Sequence, residues 1–306
     1  MIKQKGLIHM AGREILQGVV DMHVHSGPSV VTRSLDTVEM LQQAEEAGYK
    51  GFVVKDHYIP TVMSAAMIEK YHAKKGTRVI GSLVLNNSIG VFNVSMIDAA
   101  YKMGAKVVWM PTVSAKQHID EHAKKSFVGA KKLAVTETPV YYLNDDGELK
   151  DEVLPVLDYM ASHPDMILAT GHGSVAEINK LVDKAAEMKL EKVVITHPFS
   201  TVGASVEDVG RWVSKGAYVD VCAVEFEQIL PTLSRVPFSL ITEYLSVAPQ
   251  ERLILSSDGG AMTRNGPVSP VDILYRFLTL LHENKILTEN QIDLMAKKTP
   301  AELLGI

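Results

Sequence analysis

The stretch "VVDMHVHSGP", residues 19–28, opens on an apolar run and closes on Gly27-Pro28, having placed an acid and two histidines between them. The run reads as a β-strand that the Gly-Pro pair stops. Side chains alternate along a strand with period two, so His23 and His25 project from the same face. Two imidazoles side by side suit a cation better than a hydrophobic core. The remaining ligands would have to come from other elements, and the rest of the chain is read for them.

Seven further apolar runs follow at regular intervals: "GFVVK" (51–55), "RVIGSLVL" (78–85), "KVVWM" (106–110), "MILAT" (166–170), "KVVIT" (192–196), "AYVDV" (217–221) and "RLILS" (252–256). They are rich in Val, Ile and Leu and often unbroken, as strands covered on both faces should be. Helical segments with readable ends separate them. Asp36 with Glu39 forms a capping box and Gly48 stops that helix. Ser269 before Pro270 opens another helix, and Thr288 with Gln291 the next. In the closing "TPAELLGI", Thr299 reads as a cap with Pro300 at the first helical position. Strands alternating with helices imply a parallel sheet, and eight such units predict a closed (β/α)8 TIM-type barrel. An open doubly wound sheet is the competing architecture, but no strand runs into G-x-G-x-x-G.

A chain of 306 residues, 46% apolar, can fill one large barrel core, and no linker divides it, so residues 1–306 are expected to be a single domain. Residues 126–150 stand out between strands four and five. They alternate and carry Asn144-Asp145-Asp146-Gly147, a hairpin-type turn, and are read as an insertion serving as a lid or a contact between copies, compatible with a homo-oligomer, with an ordinary long loop as the alternative. The net charge of −5 gives no basic footprint for nucleic acid. No apolar stretch is long enough to span a membrane, and "MIKQKGLIHMAGREILQG" has no continuous signal-peptide core. The lone Cys222 excludes an intrachain disulfide and fits a reducing compartment. The expectation is a cytoplasmic protein acting on a small molecule.

In such a barrel the active site gathers at the C-terminal ends of the strands. Strand one ends in His23 and His25. Strand two ends in Lys55-Asp56-His57, with Lys55 and His57 on one face, and strand three in Asn86-Asn87. Strands five and six run into "TGHGS" and "THPFS", carrying His172 and His197, and strand eight into "SSDGG", carrying Asp258. Each residue alone has an ordinary structural explanation, but a barrel focuses its strand ends on one spot, so their joint occurrence points to a metal site. Imidazoles and a carboxylate are ligands of Zn²⁺ and similar ions. A site with open positions brings the pKa of a bound water to about 7. Asp258 could both bind the metal and accept that water's proton.

His-x-His on strand one, single histidines after strands five and six, and Asp after strand eight together resemble the amidohydrolase superfamily of metal-dependent hydrolases. The ending "TPAELLGI" is similar to the NPA-x-x-LG ending common there. The resemblance implies a distorted barrel holding one or two divalent metals, zinc foremost, with manganese or iron as alternatives. It implies His23, His25 and Asp258 at one metal, and His172 and His197 at the second. "DMHVHSGP" and "VVKDH" also resemble a small branch of unknown function.

The sequence departs from the superfamily at strand four, where binuclear members usually place a bridging carboxylated Lys or a Glu. Here "VVWMPTVSA" has neither before Lys116. Lys55, after strand two, is the available substitute: a buried lysine that loses its charge becomes a nucleophilic amine, able to add carbon dioxide and give a bridging carbamate. An unmodified Lys55 paired with Asp258 or substrate is the alternative, and leaves one metal. Arg33, His57, His118 and Arg264 are candidate substrate contacts, Arg33 toward a carboxylate or phosphate. His118 and His122 are four apart, but Glu121 is misplaced for H-E-x-x-H. Cys222 reads as inert core. The implied reaction is hydrolysis of an amide, lactone, cyclic imide or related C–N or C–O bond. A decarboxylase on the same barrel is the runner-up; a phosphoesterase or a non-catalytic metal-binding protein ranks lower.

Overall fold

The computed structural model describes residues 13–122, 135–226, 236–263 and 266–306. Eight strands form one parallel sheet in sequential order: β1 Val20–Val24, β2 Gly51–Val54, β3 Arg78–Val84, β4 Val107–Trp109, β5 Ile167–Ala169, β6 Val193–Thr196, β7 Tyr218–Cys222 and β8 Leu253–Ser256. The connecting helices are α1 Thr37–Ala47, α2 Val62–His72, α3 Val94–Lys102, α4 Lys116–His122 and α5 Leu154–Ala161, then α6 Val175–Glu187, α7 Val206–Ser214, α8 Ser239–Val247 and α9 Pro270–Glu283. This is the (β/α)8 barrel that the alternation of elements predicts. No helix among the described residues is long and apolar enough to cross a membrane.

Two apolar layers hold the barrel. Val20, Met22, Val53, Ile80, Trp109 and Ile254 fill its interior. Outside, the intervening strand residues pack on the helices, as Phe52 and Val54 do with Met40 and Leu41 of α1 and Phe277 of α9. Strand alternation sorts the two sets, with one local exception. The pairing of β1 with β2 is irregular between Asp21 and Val24, and such an irregularity re-aims side chains. Met22 therefore joins the barrel interior while the next residue, His23, also turns inward against Trp109, ring centroids 4.8 Å apart.

The seam between β8 and β1 is closed largely by side chains. The Asp21 carboxylate accepts from the backbone N–H groups of His23 (3.2 Å) and Ser257 (3.0 Å). Ser257 Oγ donates to the His23 carbonyl (3.1 Å), and the His25 N–H to the Gly259 carbonyl (2.9 Å). Burial pushes the Asp21 carboxyl up to about 7, against the bonds from Ser257 and His23.

The caps at Asp36, Ser269 and Thr288 form as expected, and Gly48 ends α1 with φ +77°. Thr299 corrects the reading: it caps nothing. Glu289–Asp293 (α10) runs through a π-helical turn, Leu294–Lys298, straight into Thr299–Leu304 (α11). Pro300 lacks an N–H and its ring crowds the preceding turn, and the widened π turn sits where that conflict falls. Ala301, Leu303 and Leu304 then join the interior cluster.

Of the segment 126–150, residues 135–150 are described. Val140 is tied to Ser114 and Lys116 by backbone bonds of 2.8 and 3.0 Å, and Leu143 pairs with Leu149 across the expected turn. Tyr142 is fully buried, and its hydroxyl lies 3.0 Å from both the Pro111 and the Thr170 carbonyl. The segment is thus stapled across the ends of β4 and β5.

Candidate metal centre

The strand ends bring their polar residues together. His23 Nε2 lies 3.0 Å and His25 Nε2 3.2 Å from Asp258 Oδ1, and His197 Nε2 lies 3.6 Å from Asp258 Oδ2. Burial opposes charge on Asp258, but the fields of His23 and His197 overcome it and hold the carboxyl well below its usual range. His197 and Asp258 both have left-handed backbones, φ +48° and +47°, a conformation non-glycine residues seldom adopt. Gly260 packs so closely that an added Cβ would sit 1.6 Å from the His25 carbonyl oxygen.

The outer nitrogens of the first two imidazoles are committed elsewhere. His25 Nδ1 is 2.9 Å from the Lys55 carbonyl, which can only accept, so this nitrogen carries the proton. His23 Nδ1 is 2.9 Å from Asp220 Oδ2. Burial raises the pKa of Asp220, but the bond and charge of His23, with Ser256, bring it net below its usual value. Asp220 is then an acceptor and His23 Nδ1 the donor. Burial, reinforced by Arg33, pushes His25 well below 6.5, so its ring is neutral and its Nε2 presents a lone pair to Asp258 Oδ1. His23 Nε2 faces that oxygen and also Lys55 Nζ, 3.0 Å away. A neutral His23 would oppose Asp258, and a charged one would oppose Lys55. A divalent cation among His23, His25 and Asp258 removes the conflict, and their ligand atoms all lie within 4.8 Å of one another. The residues fit a metal.

Lys55 follows β2 and is fully buried, its ammonium 4.3 Å from the centre of the Trp109 ring. Burial brings its pKa down to about 8, against the pull of Asp258. Trp109 thus stands at the end of β4 where no ligand was found. His172 Nε2 is buried without a hydrogen-bond partner, and its ring centroid is 5.2 Å from that of His197. His172 Nδ1 lies 2.7 Å from His118 Nδ1, so His118, although on α4, faces the site. His57 Nδ1 is 2.9 Å from Thr112 Oγ1, and its ring lies 4.8 Å from that of His25. Burial, with the neighbouring cations, pushes both His57 and His172 well below 6.5. Asn86 holds the wall behind His57, donating to its carbonyl (2.9 Å) and accepting from Thr112 N (2.7 Å). Arg264 lies outside the described residues, as does the side chain of His122.

Three groups at the centre lie outside the set of residues that the strand ends suggest as ligands or substrate contacts. Asp220 sits inside β7, Glu225 just beyond it with Oε1 3.5 Å from His197 Nδ1, and Trp109 at the end of β4. A lone acid in the apolar run "AYVDVCAV" was the available signal for Asp220. Cys222, expected among core side chains, is buried, but its Sγ lies 3.5 Å from His23 Nδ1. Two residues beyond Asp220, it shares that residue's inward face. A cavity of about 550 Å³ lies along the 135–150 segment, lined by Lys116, Gln117, Tyr141, Leu143, Ser174 and Glu177, and none of the residues converging on Asp258 lines it.

A histidine- and acid-lined mouth on a (β/α)8 barrel defines a class of protein rather than one protein, and comparison with known proteins agrees. The family model described as "Family of unknown function (DUF6282)" matches residues 18–220, and the chain belongs to that family. The match ends at Asp220, before Asp258. No curated protein matches the sequence. Among solved structures, the chain resembles the probable dipeptidase PvdM from Pseudomonas aeruginosa at 10% identity and TM-score 0.58, covering 96% of each chain. It resembles the lactonase Lmo2620 from Listeria monocytogenes at 14% identity and TM-score 0.55, again over 96% of each chain. The organophosphorus hydrolase from Deinococcus radiodurans matches at 13% identity and TM-score 0.56, covering 94% of this chain and 92% of that one. These likenesses show the (β/α)8 barrel fold.

Proposed function

We propose that this chain is a metal-dependent hydrolase acting on an amide, lactone, cyclic imide or related C–N or C–O bond of a small molecule. The observation that carries the reading is the convergence of two imidazole nitrogens, His23 Nε2 and His25 Nε2, on Asp258 Oδ1 at 3.0 and 3.2 Å. A divalent ion bound there would acidify a water and polarise the scissile carbonyl. Asp220 and the Lys55 carbonyl hold the two imidazoles with their lone pairs inward, the second-sphere arrangement that keeps a ligand in one tautomer. Asp258 accepts the proton of the attacking water on its carboxylate and returns it to the leaving group. Burial of the whole cluster keeps bulk water from screening these charges.

Three observations favour a second cation. His172 Nε2 is buried and unpartnered, His197 Nε2 lies 3.6 Å from Asp258 Oδ2, and the pKa of buried Lys55 is brought down to about 8, which leaves roughly a tenth of it as the free amine at pH 7. A carbamate on Lys55 would turn a cation that opposes metal binding into an anion that supports it. Native mass spectrometry in bicarbonate buffer tests this: the mass rises by one carbon dioxide in the wild type and not in Lys55→Ala.

Activity is tested by screening the zinc- and manganese-loaded protein against N-acyl amines, lactones and cyclic imides beside Asp258→Asn. Metal-dependent hydrolysis that the variant lacks is expected. Metal-independent turnover, or turnover that Asp258→Asn retains, overturns the assignment.

A further inference from the structure

Arg33 carries the clearest unused binding capacity in the described residues. Its Nε and Nη2 are both buried and neither has a hydrogen-bond partner. Leaving such donors bare costs more than a hydrogen bond ordinarily contributes, and the more so when the group is charged. These two N–H groups are also the pair that points the same way from one edge of the guanidinium. Together they make the planar fork that takes both oxygens of a carboxylate.

The fork is held at the metal centre by the backbone. Arg33 pairs with Ala261 in an isolated bridge, and Ser34 N–H donates to the Gly260 carbonyl at 2.9 Å. Asp258, Gly259, Gly260 and Ala261 are consecutive, so the loop carrying Arg33 is tied to the segment carrying Asp258. Gly260 packs directly on His25. The charge of Arg33 is felt at His25, and Arg33 in turn feels Asp56, Asp258 and Tyr58. Asp56 is the competing internal partner. Its Oδ1 is engaged by the N–H groups of Tyr58 (2.9 Å) and Ile59 (3.1 Å), while its Oδ2 is buried without a partner and makes no bond to Arg33. The guanidinium therefore stays unfilled with an acid nearby.

We infer that Arg33 is the anchor for a carboxylate on the substrate, so that the molecule hydrolysed is an acid bound by its carboxylate beside the metal centre. This rests on the reading of the site as that of a hydrolase. The single fork matches two coplanar oxygens better than the three of a phosphoryl group, and Asp56 and Asp258 nearby disfavour a dianion. Arg33 is a specificity-determining residue here: it fixes which end of the substrate faces the metal.

Formate and acetate are small enough to reach the fork whatever the true substrate. Their binding to the protein as purified, and after chelator treatment, is followed by saturation-transfer NMR in wild type, Arg33→Lys, Arg33→Gln and Asp56→Asn, and inorganic phosphate, which has no carbon-bound proton, is compared by its displacement of formate. Saturable binding of formate or acetate, weakened about tenfold or more in both Arg33 variants and kept in Asp56→Asn, is expected with or without metal. Arg33→Lys keeps the charge and loses the fork, so equal binding in wild type and Arg33→Lys overturns the inference. So does the absence of Arg33-dependent binding, which would leave Asp56 as the partner of Arg33. Phosphate binding more tightly than formate through Arg33 overturns the carboxylate assignment. Because the chelated protein is also read, failure of the metal site and failure of the anchor are distinguishable.

Discussion

Asp220 Oδ2 and His23 Nδ1 lie 2.9 Å apart at the buried centre of the barrel, an acid inside β7 fixing the imidazole at the end of β1. The bond decides which nitrogen of His23 carries its proton and so which one can bind a cation. Loss of such an outer partner typically weakens metal binding 10–100-fold. Asp220→Asn is expected to weaken zinc binding by about that factor, as read by competition with a chromophoric chelator, with the melting profile of the metal-free protein retained. An unchanged affinity would remove Asp220 from the centre.

Asp258 is assigned two tasks, metal ligand and proton carrier, and Asn can approximate only the first. Asp258→Asn is expected to lower turnover by about 10²–10⁴, the usual contribution of a positioned acid–base group, on any substrate the wild type cleaves. Turnover within about threefold of wild type at saturating metal would assign the proton transfer elsewhere.

Gly260 tests how tightly the turn behind Asp258 is built. Its φ is +108°, and an added Cβ would lie 1.6 Å from the His25 carbonyl oxygen, a backbone atom with little room to yield. Gly260→Ala combines strain with displacement of His25. It is expected to cost more than about 3 kcal/mol in denaturant unfolding and to lower metal retention as well. A variant of wild-type stability would mean the loop opens freely.

Asp21 makes a separable prediction about the barrel seam. Its carboxylate accepts from His23 N–H and Ser257 N–H, while its second oxygen is buried and unpartnered. Asn keeps the accepting carbonyl, whereas Ala leaves two buried donors bare. Asp21→Ala is therefore expected to lose about 2–4 kcal/mol, and Asp21→Asn much less, in urea unfolding. Equal losses would show that the carboxylate's charge, and not its acceptor role, closes the seam.

The barrel was legible because each strand is a Val-, Ile- and Leu-rich run and each helix between them has its own punctuation, as with Asp36, Glu39 and Gly48 around α1. His23, His25, His172, His197 and Asp258 could be set at one end of the barrel because strand ends converge in any closed parallel sheet. Asp220 and Trp109 were not legible in this way. Their roles depend on which face of a strand looks inward, and that face is decided by the register of the closed barrel. The irregularity in β1 shows the limit of counting by two, since Met22 and His23 both reach the interior. Thr299 was misread because a cap followed by proline looks the same whether a helix begins there or continues through a π turn. His118 could not be placed from spacing, because it faces His172 across a loop that local periodicity does not describe.

Metal content per chain tests the central claim most directly. The protein is purified without chelator, loaded with zinc or manganese, desalted and measured by elemental analysis beside a His23→Asn/His25→Asn double variant. The account predicts at least one equivalent of metal in the wild type, rising toward two when Lys55 carries carbon dioxide, and none above background in the double variant. A wild-type protein that retains no metal after loading, or a double variant that retains as much as the wild type, would contradict it.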